Sequence, residues 1–355
     1  MSRAALAIAL FASGVACGEG SERASSQRDK NLGVGSEAAS ASSAPPPRKV
    51  FASAKDCPKE PYDFAATGKY RHTRTRLLTQ AQGDPKHAAQ DAVTKGGSPA
   101  ILRGKFSYGA ASKDLEDEDI VLFLRTPSCA WVRAAKTTTD GEGVASFRLE
   151  ADKLPEPGVY SFEMVVEGDG SRAPGSLFVV EPGAKAVVFD IDATLTTSDD
   201  EIIDEVLNGK VPGVRPEAAT VAKAYGEAGF VIAYVTGRPY LLTETSRRWL
   251  DDNSFPLGLV RTTDSMRECL PTEEGVGRFK QRTLTELKAG GLDFKVAYGN
   301  AVTDICAYQH IAIDPQRTFI VGPFGGQGCA GSPATRALAG YPEHLADLPK
   351  LTLVK

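Results

Sequence analysis

The chain has 355 residues, of which 42% are apolar and 24% charged, and its formal net charge is -4. That length is too great for one ordinary domain, and the composition is that of a globular protein able to bury a sizeable core. A charge this near neutrality supplies no basic field for nucleic acid and no polybasic patch for membranes, so partners have to be read from sites.

The N-terminus carries an export pattern. Arg3 gives a positive start, Ala4 to Ala12 an apolar run, and Val15-Ala16-Cys17 a small-residue cleavage site ending in cysteine. The pattern resembles a bacterial lipoprotein signal, with Gly14 where Leu is usual, and an ordinary cleaved signal peptide is the alternative. It predicts a signal peptide over residues 1–17 and export to the cell envelope, on its periplasmic or outer-membrane face, with an anchor on Cys17. Residues 18–56 are rich in Ser, Ala, Gly and Pro, include Pro45-Pro46-Pro47, and read as a disordered tether. No later apolar stretch has the length that spans a bilayer.

Five cysteines follow Cys17: Cys57, Cys129, Cys269, Cys306 and Cys329. An odd number in an oxidising compartment leaves at least one thiol free, and the spacings are not those of zinc ligands. Cys269 and Cys329 lie in loop-like sequence and could pair; independent buried thiols are the alternative.

Residues 57–97 form an N-terminal extension in which His87 and Asp91 stand at helical spacing, a pair to which no chemistry is assigned. Over residues 98–182, short β-type runs alternate with turn signals: Ala100 to Tyr108, Asp119 to Leu124, Ala130 to Ala135, Val144 to Leu149, Val159 to Val166 and Ser176 to Val180. Asp140-Gly141-Glu142-Gly143 and Gly168-Asp169-Gly170 are natural hairpin turns, and the spacing, with Trp131, predicts a small immunoglobulin-like β-sandwich. The acidic run Asp114 to Asp119 lacks EF-hand spacing and reads as a solvated turn.

From residue 184 to 355 the rhythm changes to strand, loop and helix. Ala186 to Phe189 is a continuous apolar run, as a parallel strand covered on both faces requires. Strands over Phe230 to Val235, Leu257 to Val260, Phe294 to Tyr298 and Thr318 to Val321 alternate with helices over Arg215 to Ala228, Tyr240 to Asp251, Arg278 to Ala289 and Thr303 to His310. This alternation predicts a doubly wound α/β parallel sheet, whose ligands bind beyond the carboxyl ends of the strands.

Four segments fall at those ends: Asp190-Ile191-Asp192-Ala193-Thr194, Thr236-Gly237-Arg238, Lys280 at a helix start, and Asn300 with Asp304. A phosphate monoester is repelled by a carboxylate, by about 4 kcal/mol per unit-charge pair at 4 Å in an effective dielectric near 20, so a divalent cation has to bridge them. Carboxylate, carbonyl and amide oxygens suit Mg²⁺. Asp190 is placed to attack phosphorus, and Asp192 to protonate the leaving alkoxide and then activate water. Thr194 closes the same catalytic segment; Thr236, Gly237 and Arg238 are candidates to hold phosphoryl oxygens, and Lys280 to offset their charge. Asp190, Asp192, Asn300 and Asp304 are the candidate metal residues. The alternatives are turn-forming acids, a surface lysine at 280, an Arg238 paired with a helix carboxylate, and helix-start acids at Asp199 and Asp200.

The segment from about Lys185 to Pro323 resembles the catalytic domain of lipin-type phosphatidate phosphatases, in the haloacid dehalogenase superfamily, a domain also found in membrane-associated phosphatidylinositol transfer proteins. The resemblance rests on Asp190 to Thr196, Ser198-Asp199, Pro212-Gly213-Val214, Tyr234 to Pro239, Phe279-Lys280, Tyr298-Gly299-Asn300, Asp304 and Ala307-Tyr308. It implies Mg²⁺-dependent conversion of phosphatidate to diacylglycerol at a phospholipid membrane surface. In relatives that have lost the acids it implies phosphatidate binding without cleavage. Here Ala193 replaces the usual Gly, and Thr236-Gly237 the usual Ser-Ala. The spacing leaves room for a short flap between Thr194 and Val214 but for no large lid domain between Thr236 and Lys280. An open mouth of that kind admits a lipid head group, and equally a soluble or protein phosphomonoester.

Overall fold

The computed structural model describes residues 57, 62–109, 112–126, 128–154, 156–197 and 211–352. The expected signal peptide, the Cys17 anchor, the tether over 18–56 and the acids Asp199 and Asp200 lie outside the described residues. No helix among the described residues is long and apolar enough to cross a membrane.

The first half is a β-sandwich. Its strands are β1 (Ala88–Ala89), β2 (Ala92–Lys95), β3 (Ala100–Lys105), β4 (Ser107–Tyr108), β5 (Lys113–Asp114), β6 (Asp119–Arg125), β7 (Trp131–Thr138), β8 (Val144–Leu149), β9 (Gly158–Val166) and β10 (Arg172–Val180). One sheet runs β1-β3-β8 and the other β2-β10-β9-β6-β7, with β4 and β5 forming a short ribbon. Between the sheets lie Leu102, Phe106, Leu122, Phe147, Phe162, Met164 and Leu177, all buried. Each such side chain contributes about 1.5–3 kcal/mol by leaving water. Both hairpin turns form where glycine permits positive φ, at Gly143 and Gly170.

Three expectations for this half change. His87 and Asp91 do not share a helix; they flank β1, and the helix of the extension is α1 (Thr73–Gln82). The sandwich therefore takes in strands that precede residue 98. His87 is a buried ring whose Nδ1 accepts from Ser107 N, and burial pushes its pKa down to about 4. The acidic run is not all solvated: Glu118 is buried, and its carboxylate accepts from Arg71 N and His72 N, fastening the N-terminal segment. Cys57–Cys129 fastens the same segment covalently.

The second half is a six-stranded parallel sheet of β11 (Ala184–Phe189), β12 (Val231–Pro239), β13 (Leu259–Thr263), β14 (Leu292–Gly299), β15 (Thr318–Val321) and β16 (Arg336–Leu338). The order is β13-β12-β11-β14-β15-β16. Helices α2 (Ala218–Glu227), α3 (Thr243–Asp252), α4 (Arg278–Ala289) and α5 (Val302–His310) pack on it. The apolar run of β11 is explained by period two: Val187 and Phe189 enter one core cluster, Ala186 and Val188 the other. Phe178 and Val180 of β10 belong to that second cluster, so the last sandwich strand also lines the core of the α/β domain. Cys306 of α5 pairs with Cys329, so neither the possible Cys269–Cys329 pair nor a set of independent thiols is found, and Cys269 is the free thiol among the described residues.

Candidate active site

The central strand β11 delivers Asp190 past its end, where Asp190 N donates to Tyr298 O of the neighbouring β14 (3.0 Å). The chain then turns: Leu195 N and Thr196 N both donate to Ile191 O, and Ala193 takes a left-handed φ of 51°. That conformation costs a residue with a Cβ roughly 1–2 kcal/mol, which explains why Gly is usual there in the resembling family. The turn is held by Ala193 N donating to Thr196 Oγ1 (2.9 Å), by Arg215 Nε donating to Ala193 O (3.1 Å) and by Tyr341 OH donating to Thr194 O (3.1 Å).

Asp190 is 3% exposed. Its Oδ1 accepts from Lys280 Nζ (2.7 Å) and its Oδ2 from Thr194 Oγ1 (3.2 Å). The same ammonium donates to Asp304 Oδ1 (2.6 Å), so Lys280 sits between two carboxylates and is no surface lysine. Burial raises the Asp190 pKa to about 8; Lys280 opposes the rise, and Asp304 and Asp192 reinforce it. Burial works to release the Lys280 proton, but Asp190 and Asp304 outweigh it and hold the amine above its ordinary range.

Asp192 is bound differently. Arg238 spreads its fork over it, Nε to Oδ1 (3.0 Å) and Nη2 to Oδ1 (2.9 Å), while Thr236 Oγ1 donates to Oδ2 (2.9 Å). Arg238 is fully buried, and its Nη1 donates to Ser246 Oγ (3.2 Å). In this structure the Arg238 guanidinium, a candidate to hold substrate phosphate, is engaged with Asp192, a strand-end acid rather than a helix carboxylate. Gly237 lies against Val276, and a Cβ there would come within 2.7 Å of a Val276 methyl. The missing side chain thus has a packing reason.

Asp304, a candidate metal residue, holds a lysine and a helix start in this structure. Its Oδ1 is on Lys280 and its Oδ2 accepts from Asn300 N and Ala301 N (3.1 Å each), so it caps α5 and aims Lys280. Gly299 is required by this cap, because a Cβ would meet the Asp304 carboxyl carbon at 2.7 Å. Among the described residues, no group of three or more His, Cys, Asp or Glu is arranged to hold a metal. What converges is an oxygen pair: Thr194 Oγ1 lies 3.2 Å from Asp190 Oδ2 and 3.4 Å from Asn300 Oδ1. Among the described residues, three carboxylates, Asp190, Asp192 and Asp304, pair with two cations, Lys280 and Arg238, one carboxylate more than cation.

Sequence reasoning missed Arg215, Ser246 and Tyr341, which carry no motif. Tyr308, noted only as part of a resemblance, donates to Tyr298 O (2.7 Å), the carbonyl that also receives Asp190 N. A hollow of about 730 Å³ lies elsewhere, beside α1, among Arg71, His72, Lys113, Glu116 and Asp117, where Arg71 pairs with Asp117 and Lys113 with Glu116.

Residues 187–322 match the family model of the LNS2 domain of PITM 1-3, and residues 85–179 that of the PITM 1-3 β-sandwich domain. The α/β domain belongs to the LNS2 family. The chain is similar to human membrane-associated phosphatidylinositol transfer protein 1, 30% identical over 72% of this chain and 20% of that protein. It is also similar to protein retinal degeneration B of Drosophila melanogaster, 28% identical over 74% of this chain and 20% of that protein. The chain thus spans about a fifth of the length of these curated relatives. A solved Mesorhizobium loti structure that bears the name of a HAD-like phosphatase aligns with 56% of this chain and 95% of its own, at 21% identity and a TM-score of 0.36. The LNS2 match agrees with the doubly wound, haloacid dehalogenase-like fold read from the sequence.

Proposed function

We propose that the mouth of the sheet is a Mg²⁺-dependent phosphatase site that acts through an aspartyl-phosphate on Asp190, with phosphatidate at the envelope membrane as its substrate. The observation that carries this reading is the pair Asp190 and Asp192 at the carboxyl end of the central strand, with Lys280 buried against the first. Asp190 attacks phosphorus, the phosphorus–alkoxide bond breaks, and the leaving oxygen takes a proton from Asp192; water then attacks the acyl phosphate as Asp192 recovers a proton, releasing phosphate and restoring Asp190. Lys280, beside Asp190, would offset phosphoryl charge, and the Thr236 hydroxyl, here on Asp192, would turn to hold a phosphoryl oxygen.

The donor chemistry fits Mg²⁺. Asp190 Oδ2 and Asn300 Oδ1 are hard oxygens gathered at one hydroxyl, and the cluster has, among the described residues, one more carboxylate than paired cation. Those two residues, with a main-chain carbonyl of the Asp190–Thr194 turn, would hold the ion. When bound it supplies charge neutralisation between carboxylate and phosphate. A phospholipid substrate is supported by the relatives that bear the name of phosphatidylinositol transfer proteins. Export is supported by the two disulfides, which persist in oxidising compartments. An anchor on Cys17 would hold the mouth near lipid.

One observation favours a second reading, phosphatidate binding with little turnover: both Asp192 oxygens already accept from Arg238 and Thr236, so a proton brought to Asp192 displaces one of these bonds. Phosphate release from phosphatidate in mixed micelles separates the two. Mg²⁺-dependent release by the wild type, lost by about 10³-fold or more in Asp190→Asn, supports the enzyme. Saturable phosphatidate binding without release supports the binding module, and release from a soluble phosphomonoester alone removes the lipid from the proposal.

A further inference from the structure

The sandwich grips the α/β domain through two consecutive residues, Gln90 and Asp91, in the short break between β1 and β2. Asp91 is 2% exposed. Its Oδ1 accepts from Ser176 N of β10 (2.8 Å) and from Arg247 Nη2 of α3 (2.7 Å), and its Oδ2 from Val260 N of β13 (2.8 Å). Arg247 also donates to Ala89 O and Pro174 O of the sandwich (3.0 Å each). Gln90 Nε2 donates to Thr262 O and Asp264 Oδ1 at the end of β13 (3.0 Å each).

Both elements seized this way touch Arg238. Ser246, adjacent to Arg247 on α3, accepts from the Arg238 guanidinium (3.2 Å), and Thr263 of β13 donates to Arg238 O (3.3 Å). Thr243 of α3 and Thr262 of β13 are joined by their hydroxyls (2.7 Å). A continuous buried path therefore runs from the sandwich through α3 and β13 to the fork that lies on Asp192. We infer that Gln90 and Asp91 are positioning residues: the sandwich sets the place of the Arg238 fork and through it the proton transfer at Asp192. This rests on the phosphatase reading for its kinetic consequence, but the geometry of the brace does not.

The test compares two esters in the full chain, an alkyl phosphate, whose leaving oxygen needs a proton, and an aryl phosphate with an acidic phenol, whose leaving oxygen does not. Asp91→Asn is expected to slow the alkyl ester roughly tenfold or more beyond its effect on the aryl ester, the same signature as Asp192→Asn. Leu102→Ala, which only loosens the sandwich core, is expected to slow both esters equally. An equal loss on both esters in Asp91→Asn overturns the inference. Should Asp91→Asn fail to fold, Gln90→Leu carries the same comparison. If the wild type turns over neither ester, the phosphatase reading falls, and the brace is decided by the Arg238 Nε–H resonance. That signal is expected to exchange slowly in the wild type and faster in Asp91→Asn; no change overturns the brace.

Discussion

The junction between the domains and the mouth of the sheet both bury acids against bases, and the two clusters are balanced differently. At the junction the Asp91 carboxylate meets one guanidinium and two main-chain N–H groups, which is the way a buried charge is ordinarily satisfied. At the mouth one ammonium is shared by Asp190 and Asp304 while Arg238 is committed to Asp192. The first arrangement is complete as it stands. The second has, among the described residues, one more carboxylate than paired cation and oxygens turned toward one hydroxyl, so it gains most by taking up a proton or a cation.

The largest difference between the two clusters should appear with pH. The folded-state pKa of Asp190, raised to about 8 from 3.8, means that between these values the folded state binds more proton than the unfolded state. This contribution to stability is complete below about pH 4 and lost as the pH climbs through about 8. Chemical denaturation in Mg²⁺-free buffer across that window should show the decline, and Asp190→Asn should flatten it; a decline that persists in the variant places its source elsewhere. Next come the two cations. Lys280→Met and Arg247→Met each strand a buried carboxylate and should cost about 3–5 kcal/mol. Added Mg²⁺ should return part of the loss in Lys280→Met and none in Arg247→Met, and equal recovery in both would erase the distinction between mouth and junction.

The Cys306–Cys329 bridge loads only the mouth, since Cys306 lies two residues beyond Asp304 on α5; its ends are 23 residues apart. Replacing both cysteines by Ser should cost about 3 kcal/mol in the chain-entropy account. Hydrogen exchange at Val260 N–H, which reports the junction, should be protected to the same degree relative to global unfolding. The smallest effect is expected at Ala193. Ala193→Gly relieves a left-handed residue and should raise stability by up to about 1 kcal/mol, read as a small shift of the denaturation midpoint. A loss of stability would show that the Cβ makes a contact outweighing the strain.

Much of the fold was legible because strand periods and turn chemistry are local. The apolar run Ala186 to Phe189, the helices over Arg278 to Ala289 and Thr303 to His310, and the hairpin glycines all follow from neighbours in sequence. Where β12 ends was not, because Thr236, Gly237 and Arg238 continue the strand under the pull of packing against Val276 and Asp192 rather than of their own pattern. The same limit applied to Asp91, an acid in a short break between strands whose partners stand 85, 156 and 169 residues away.

For the site, the order of residues along the chain determined which groups gather at the strand ends, since a parallel sheet brings every such end to one edge. It could not decide how those groups pair. That Arg238 lies on Asp192, that Asp304 reaches Lys280, and which cysteines meet are set by distances between segments far apart in the chain. Charge pairing in a dry interior is a matter of ångströms, and only the closed structure sets those.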